Sequence, residues 1–152
     1  MLSTNALLSQ ISVRLPDTTA EAGARLKIPI RVLELTPFAV TSFRFVLSCD
    51  TSVATLEGVE QEGTVAQEAL VAANNHVSPF HAGSMKVACA SAAPFSGRGV
   101  LVYIVVAVKK TEGATPLKFS EFVFNGGSRK ANVRNGSLES VARKEPEADQ
   151  KE

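Results

Sequence analysis

Nine consecutive residues, Val100 to Val108 (Val-Leu-Val-Tyr-Ile-Val-Val-Ala-Val), carry no charge, and six of them are β-branched. Such a run is about 30 Å long as a strand but only about 14 Å as a helix. Ser96-Gly97-Arg98-Gly99 precedes it and Lys109-Lys110 follows. The β-branched content and the flanking glycines favour the strand. A strand with no polar face belongs deep in a sheet, so the rest of the chain has to be built around it.

The other segments read as strands too. Ile11 to Leu15 alternates apolar and polar residues and stops at Pro16-Asp17. Leu26 to Val32 alternates again, and Pro29 within it points to an edge position or an N–H outside the ladder. Ser42 to Cys49 has Phe43, Phe45, Leu47 and Cys49 on one face and Ser42, Arg44, Val46 and Ser48 on the other. Val53 to Val59, Ala69 to Ala73, Ser84 to Ala90, Pro116 to Phe124 and Val133 to Val141 complete the series. The best helical candidate, Glu62 to Ala73, contains Gly63 and has a ragged period. About nine strands punctuated by Gly, Pro and Asn imply an all-β fold, a two-sheet antiparallel β-sandwich. Residues 1–9 read as a lead-in, residues 10–142 as the domain, and the polar residues 143–152 as a disordered tail or linker. There is no internal repeat.

At 152 residues the chain can bury about 70% of its unfolded surface, so it needs neither disulfides nor metal to fold. Its net charge of +1, with no Lys/Arg cluster longer than two, argues against a nucleic-acid binder. The longest apolar run falls far short of the ~20 residues of a membrane-spanning helix. Met1 to Gln10 has no positive charge and no continuous apolar stretch, so it does not read as a secretory signal.

Candidate chemistry is sparse. His76 and His81, with Cys89, do not have the spacing of a zinc site. A triad of Asp50, His76 and a serine lacks any Gly-x-Ser-x-Gly elbow. Cys49 and Cys89 fall on inward positions of strands that could be neighbours, either as buried free thiols, the favoured reading, or as a disulfide. Asn125-Gly126-Gly127-Ser128 has no lysine and reads as a turn, not a phosphate cradle. Asn135-Gly136-Ser137 fits a glycosylation acceptor, but Asn-Gly is also the strongest hairpin-turn dipeptide, and the turn is the preferred reading. Arg44 and Val46, joined by Lys86 and Ala88 if their strands are neighbours, form either a docking face or an ordinary solvated one.

Four segments, in order, resemble a cohesin domain, the module that receives dockerins. They are Ala22 to Ile30, with its Gly-then-Pro pattern; Ala39 to Asp50; Gly97-Arg98-Gly99-Val100-Leu101; and Phe124-Asn125-Gly126 followed by Asn135-Gly136-Ser137-Leu138. Cys49 and Thr51 stand around Asp50 where the family usually has Tyr and Pro. The resemblance implies a nine-strand jelly roll, no catalytic residues, and binding of a dockerin-like protein through one sheet face, outside the cell or on its surface. On that face it places Ser42, Arg44, Val46, Lys86, Ala88, Lys118 and Ser120. Calcium, where involved, is expected on the dockerin partner, and no cofactor or metal on this chain. Rival readings are a carbohydrate-binding module, disfavoured by the absence of Trp and a single Tyr, and a structural packing domain. On the long strand, Leu101, Tyr103, Val105 and Ala107 are expected to point outward on the opposite sheet, a surface available for self-association.

Overall fold

Strict apolar/polar alternation gives most of the strands one face for a core and one for solvent, and the structure, a computed structural model, assembles them in two layers. It describes residues 11–74, 84–127 and 129–142. The lead-in, the tail, and both histidines lie outside the described residues. The described residues form eleven strands: β1 (Ile11–Arg14), β2 (Asp17–Glu21), β3 (Arg25–Val32), β4 (Ser42–Ser48), β5 (Ala54–Glu60), β6 (Leu70–Asn74), β7 (Ser84–Ala90), β8 (Gly99–Val108), β9 (Gly113–Phe124), β10 (Arg129–Arg134) and β11 (Gly136–Val141).

One layer runs β5-β8-β3-β1-β10 and the other β2-β11-β9-β4-β7-β6, with β10 also paired to the end of β9. The long apolar strand β8 is central, hydrogen-bonded to β3 on one side and β5 on the other. Between the layers, Ile28, Ile30, Val102, Ile104 and Val106 meet Phe43, Phe45, Leu47, Met85, Val87 and Phe124, all at most 2% exposed. Each such side chain stabilises the fold by about 1.5–3 kcal/mol relative to exposure. The phenylalanines also pack on one another: Phe122 stacks on Phe45 at 5.1 Å between centroids and meets Phe119 edge-on at 5.0 Å. Pro29 is accommodated because β1 pairs with β3 only at Arg31 and Val32, leaving that edge of β3 open at the proline.

The sandwich differs from the sequence reading in several places. First, Asp17–Glu21 is a strand where a stop was expected; it pairs in parallel with β11 and has no apolar periodicity to betray it. Second, β1 and β10 are also parallel, so the sandwich is not wholly antiparallel. Third, Val133 to Val141 is not one strand around a hairpin turn. β10 leaves β9 after Lys130 to join β1, and the chain then returns to β9 as β11. Asn135 bridges the gap, its Oδ1 accepting the Phe119 N–H at 3.0 Å. Gly136 passes against Leu15 and Pro16 so closely that a Cβ would lie 2.2 Å from the Pro16 carbonyl oxygen.

Fourth, Leu101 does not point outward. Ile30 stands opposite Val102 and Arg31 opposite Val100, so Leu101 is an extra residue in a β-bulge, and both Leu101 and Val102 are fully buried. Tyr103, Val105 and Ala107 are half-buried on the outer side, with Lys27 Nζ 5.2 Å from the Tyr103 ring centroid. The 61–69 segment is a turn, not a helix. The Gln61 side-chain nitrogen donates to the Ala66 and Ala69 carbonyls, each at 2.8 Å, and the backbone N–H groups of Val65 and Ala66 bond the Val100 and Leu101 carbonyls.

Cys49 and Cys89 are free thiols. Their strands are neighbours, as expected, but Cys89 stands opposite Phe43, near the start of β4, whereas Cys49 follows its far end. No bridge can span that separation.

Candidate functional site

The outer face of the β9-β4-β7-β6 layer can be read row by row from its register. Ser42, Ala90 and Leu70 form one row. Val123, Arg44, Ala88 and Ala72 form the next, and Glu121, Val46, Lys86 and Asn74 the third. Ser48 and Lys118 stand opposite one another at the far end. All seven residues expected on the face are thus on three adjacent strands, and none of them is buried. Arg44 is beside Ala88 and Val46 beside Lys86. Lys118 lies farther along β9, and Ser120 stands outside the ladder.

Ser120 is displaced because β9 carries a second bulge: Val46 pairs with Glu121 and Leu47 with Phe119, leaving Ser120 unpaired and exposed. The bulge brings Glu121 onto the face, where its Oε2 accepts a hydrogen bond from Arg44 Nε at 3.1 Å. Sequence reasoning missed this partner. The signal was present: the apolar step from Phe119 to Phe122 is three residues where alternation demands two. Leu70, Ala72 and Ala90 were missed as well, although the alternation of Leu70 and Ala72 could have suggested them. Leu70 is the most exposed large apolar residue described, at 81%. With Ala72, Ala88, Ala90, Ser42 and Arg44 it lines an open groove of about 400 Å³.

The face is held rigidly at one corner. Asn125, with a left-handed φ of 52°, follows β9; its Oδ1 accepts the Thr41 N–H at 2.9 Å and its Nδ2 donates to the Ala39 carbonyl at 3.2 Å. The entry to β4 is therefore tied to the exit of β9. Gly126 and Gly127 follow with φ of 67° and 101°, so this stretch is a tight turn, as its composition indicated.

Reactive chemistry is not concentrated here. Among the described residues no cluster of three or more His, Cys, Asp or Glu side chains could hold a metal. Asp50 accepts the backbone N–H and hydroxyl of Ser52 at 2.9 and 2.8 Å, which holds its carboxyl below the usual range. Burial pushes the Cys49 thiol up to about 11 and that of Cys89 to about 12, so both stay protonated and non-nucleophilic at neutral pH. No described helix is long and apolar enough to cross a membrane.

The family model described as the cohesin domain matches residues 11–139. The chain belongs to the cohesin family. Solved structures carry the same fold. A non-cellulosomal cohesin from the hyperthermophilic archaeon Archaeoglobus fulgidus is 21% identical, with a TM-score of 0.68 over 88% of this chain and 92% of that one. The seventh ScaB type I cohesin from Pseudobacteroides cellulosolvens is 20% identical, with a TM-score of 0.69 over 91% and 96%. A chain of the OlpA cohesin–dockerin complex from Clostridium thermocellum is 18% identical, with a TM-score of 0.70 over 87% and 99%. No curated protein sequence matches the chain. The jelly-roll sandwich expected from the sequence is therefore the fold of this cohesin, with eleven strands in place of nine.

Proposed function

We propose that this cohesin is a non-catalytic interaction module that docks a dockerin-like protein on the outer face of the β9-β4-β7-β6 layer, in an assembly outside the cell or on its surface. The observation that carries the reading is the face itself. It is a preformed sheet surface with a small-residue apolar groove beside an arginine, on a fold whose solved relatives include a cohesin–dockerin complex. A rigid sheet face loses little entropy on binding, and an interface of about 1,600 Å² becomes tight when its anchors are good. Ser42, Arg44, Val46, Lys86, Ala88, Lys118 and Ser120 make the contact, with Arg44 as principal anchor because its planar guanidinium offers several donors. Glu121 orients that guanidinium and occupies its Nε, leaving the other donors for the partner.

A carbohydrate platform fits less well. The described phenylalanines lie in or against the core, and Tyr103 is half-buried with Lys27 Nζ 5.2 Å from its ring centroid. The test is a pull-down and titration against calcium-loaded dockerin modules, with and without chelator. Chelator-sensitive binding that Arg44→Glu weakens at least tenfold is expected; unchanged affinity in that variant would remove the face from the interaction.

A further inference from the structure

We infer that the sandwich carries a second protein-docking surface, on the outer face of the β5-β8-β3-β1-β10 layer, fitted to an acidic helix of another protein. Its centre is a row of three arginines. Arg31 on β3 stands in register with Arg14 on β1, and Arg14 with Arg134 on β10. All three are exposed. Like charges directly opposite one another destabilise a sheet, so the row does nothing for the fold. Elsewhere on the two sheets an arginine takes a carboxylate: Arg25 is 2.6 Å from Glu57, and Arg44 is 3.1 Å from Glu121. Among the described residues no side chain forms a hydrogen bond or ion pair with Arg14, Arg31 or Arg134. Their neighbours on the face are uncharged: Val100 opposite Arg31, Pro29 two residues before it, and Ser12 and Asn132 two residues before Arg14 and Arg134. The carboxylates bordering the row are turned to other groups. Asp17 accepts the Ser137 hydroxyl at 2.9 Å, and Glu60 the Glu62 N–H at 3.2 Å. Glu34 accepts the Thr36 N–H at 3.1 Å and has Arg98 beside it.

Leu33 makes this a protein surface. It is 55% exposed, one of only two large apolar side chains so exposed among the described residues. Its N–H bonds the Ser12 carbonyl, which sets it in the row beside the arginines. An interface needs both kinds of group, an apolar anchor that leaves water and arginines whose planar fork fixes the partner's carboxylates. Spacing selects a helix as the partner element. Side chains directly opposite on a ladder have Cβ atoms about 4.5–5.5 Å apart. Those three or four residues apart on a helix are about 5–6 Å apart, and so can meet the arginines one for one. On an extended segment the same-face repeat is about 6.7 Å, which falls out of step. A second copy docked by two-fold symmetry would set arginine against arginine. The surface lies on the layer opposite the proposed dockerin face, so it stands apart from that reading and leaves both partners room to be held at once.

The experiment titrates the full chain into a fluorescent helical peptide that carries Glu at every fourth position, a Leu beside that stripe and Ala elsewhere. A peptide with Lys in place of Glu is the control. The Glu peptide is expected to bind about tenfold more tightly than the Lys peptide, and to weaken about tenfold between 50 and 500 mM NaCl. Arg14→Gln with Arg134→Gln should weaken binding about tenfold, and Arg44→Gln, on the opposite layer, should leave it unchanged. Leu33→Ser should weaken binding without altering the salt slope. Arg14→Gln alone should raise Tm, because it relieves the repulsion along the row. A lower Tm in that variant would make the row structural and overturn the inference. Equal binding of the two peptides, or an equal loss in Arg44→Gln, would overturn it too. Retention on heparin that depends on Arg14 and Arg134, with no binding of the Glu peptide, would make the row a polysaccharide site and overturn the protein partner. None of these results bears on the dockerin face, which is tested by Arg44→Glu.

Discussion

Gly136→Ala separates a sheet-switching crossover from a hairpin turn at the Asn-Gly pair. An added Cβ would lie 2.2 Å from the Pro16 carbonyl oxygen, 2.8 Å from Leu15 Cβ and 3.0 Å from the Leu15 carbonyl carbon. Ordinary contacts are about 3.5–4.0 Å, so the two chain segments would have to part by about 1 Å or more. Nothing flexible can give way, because the obstructing atoms are main chain and a Cβ. Leu15 is itself buried, at 4% exposure. Forced backbone shifts of this kind cost about 1–3 kcal/mol, and the Ser137 N–H to Pro16 O bond at 3.3 Å would be lost with them. A net loss of about 3 kcal/mol follows, or about 6–12 °C in Tm for a chain this long. The assay is a thermal melt by circular dichroism, with Gly58→Ala as control, since a Cβ there meets nothing within 4 Å. Gly136→Asn sharpens the contrast: a hairpin turn with left-handed backbone tolerates Asn, whereas this crossover does not. A Gly136→Ala protein melting within about 2 °C of the parent would refute the argument.

Other outcomes follow from the same geometry. Asn135→Ala removes the acceptor of the Phe119 N–H and should cost about 0.5–1.5 kcal/mol, read as a lower urea midpoint with an unchanged m-value. Arg44→Glu should lower Tm by no more than about 4 °C, because the Arg44–Glu121 pair is more than a third exposed on both sides and such pairs contribute about 0–1 kcal/mol; a larger drop would make it a structural residue. The thiols should resist iodoacetamide in the native state at pH 8 and react on unfolding, as mass spectrometry would show. Because their folded pKa values, about 11 and 12, exceed the ordinary 9.0, the stability they contribute is complete below about pH 9. It is lost as pH rises through the folded values, so Cys49→Ser with Cys89→Ser should flatten the alkaline limb of a Tm–pH curve.

Strand existence was legible wherever one face is buried, because burial imposes a two-residue period. Phe43, Phe45 and Leu47 announce β4 in this way, and Met85, Val87 and Cys89 announce β7. The period fails at bulges. An extra residue in β8 turns Leu101 inward, and nothing in a run that is apolar throughout could mark it. An extra residue in β9 turns Glu121 outward, and there the three-residue step between phenylalanines did mark it. β2 was invisible for a different reason: no residue of Asp17–Glu21 is buried, so its strand character comes from pairing with β11 alone. The candidate face was legible in the strands that the family resemblance named. Its apolar corner was legible in part: the alternation of Leu70 and Ala72 marks an outward face on β6, but the register that sets Leu70 opposite Ala90 on the next strand is not encoded locally.

The parallel pairing of the first strands with the last has a consequence for how the chain is made. Ser137 and Asp17, whose side chains bond at 2.9 Å, are 120 residues apart in sequence. Closing so long a loop makes these contacts among the slowest to form. Among the described residues β2 pairs only with β11, so during synthesis from the N-terminus it waits unpaired until nearly all of the domain exists. Residues 136–141 therefore act as the closing stitch of biosynthesis. A ribosome stalled before them would hold a nascent sandwich whose β2 has no strand to pair with, a substrate for chaperones instead of a docking module.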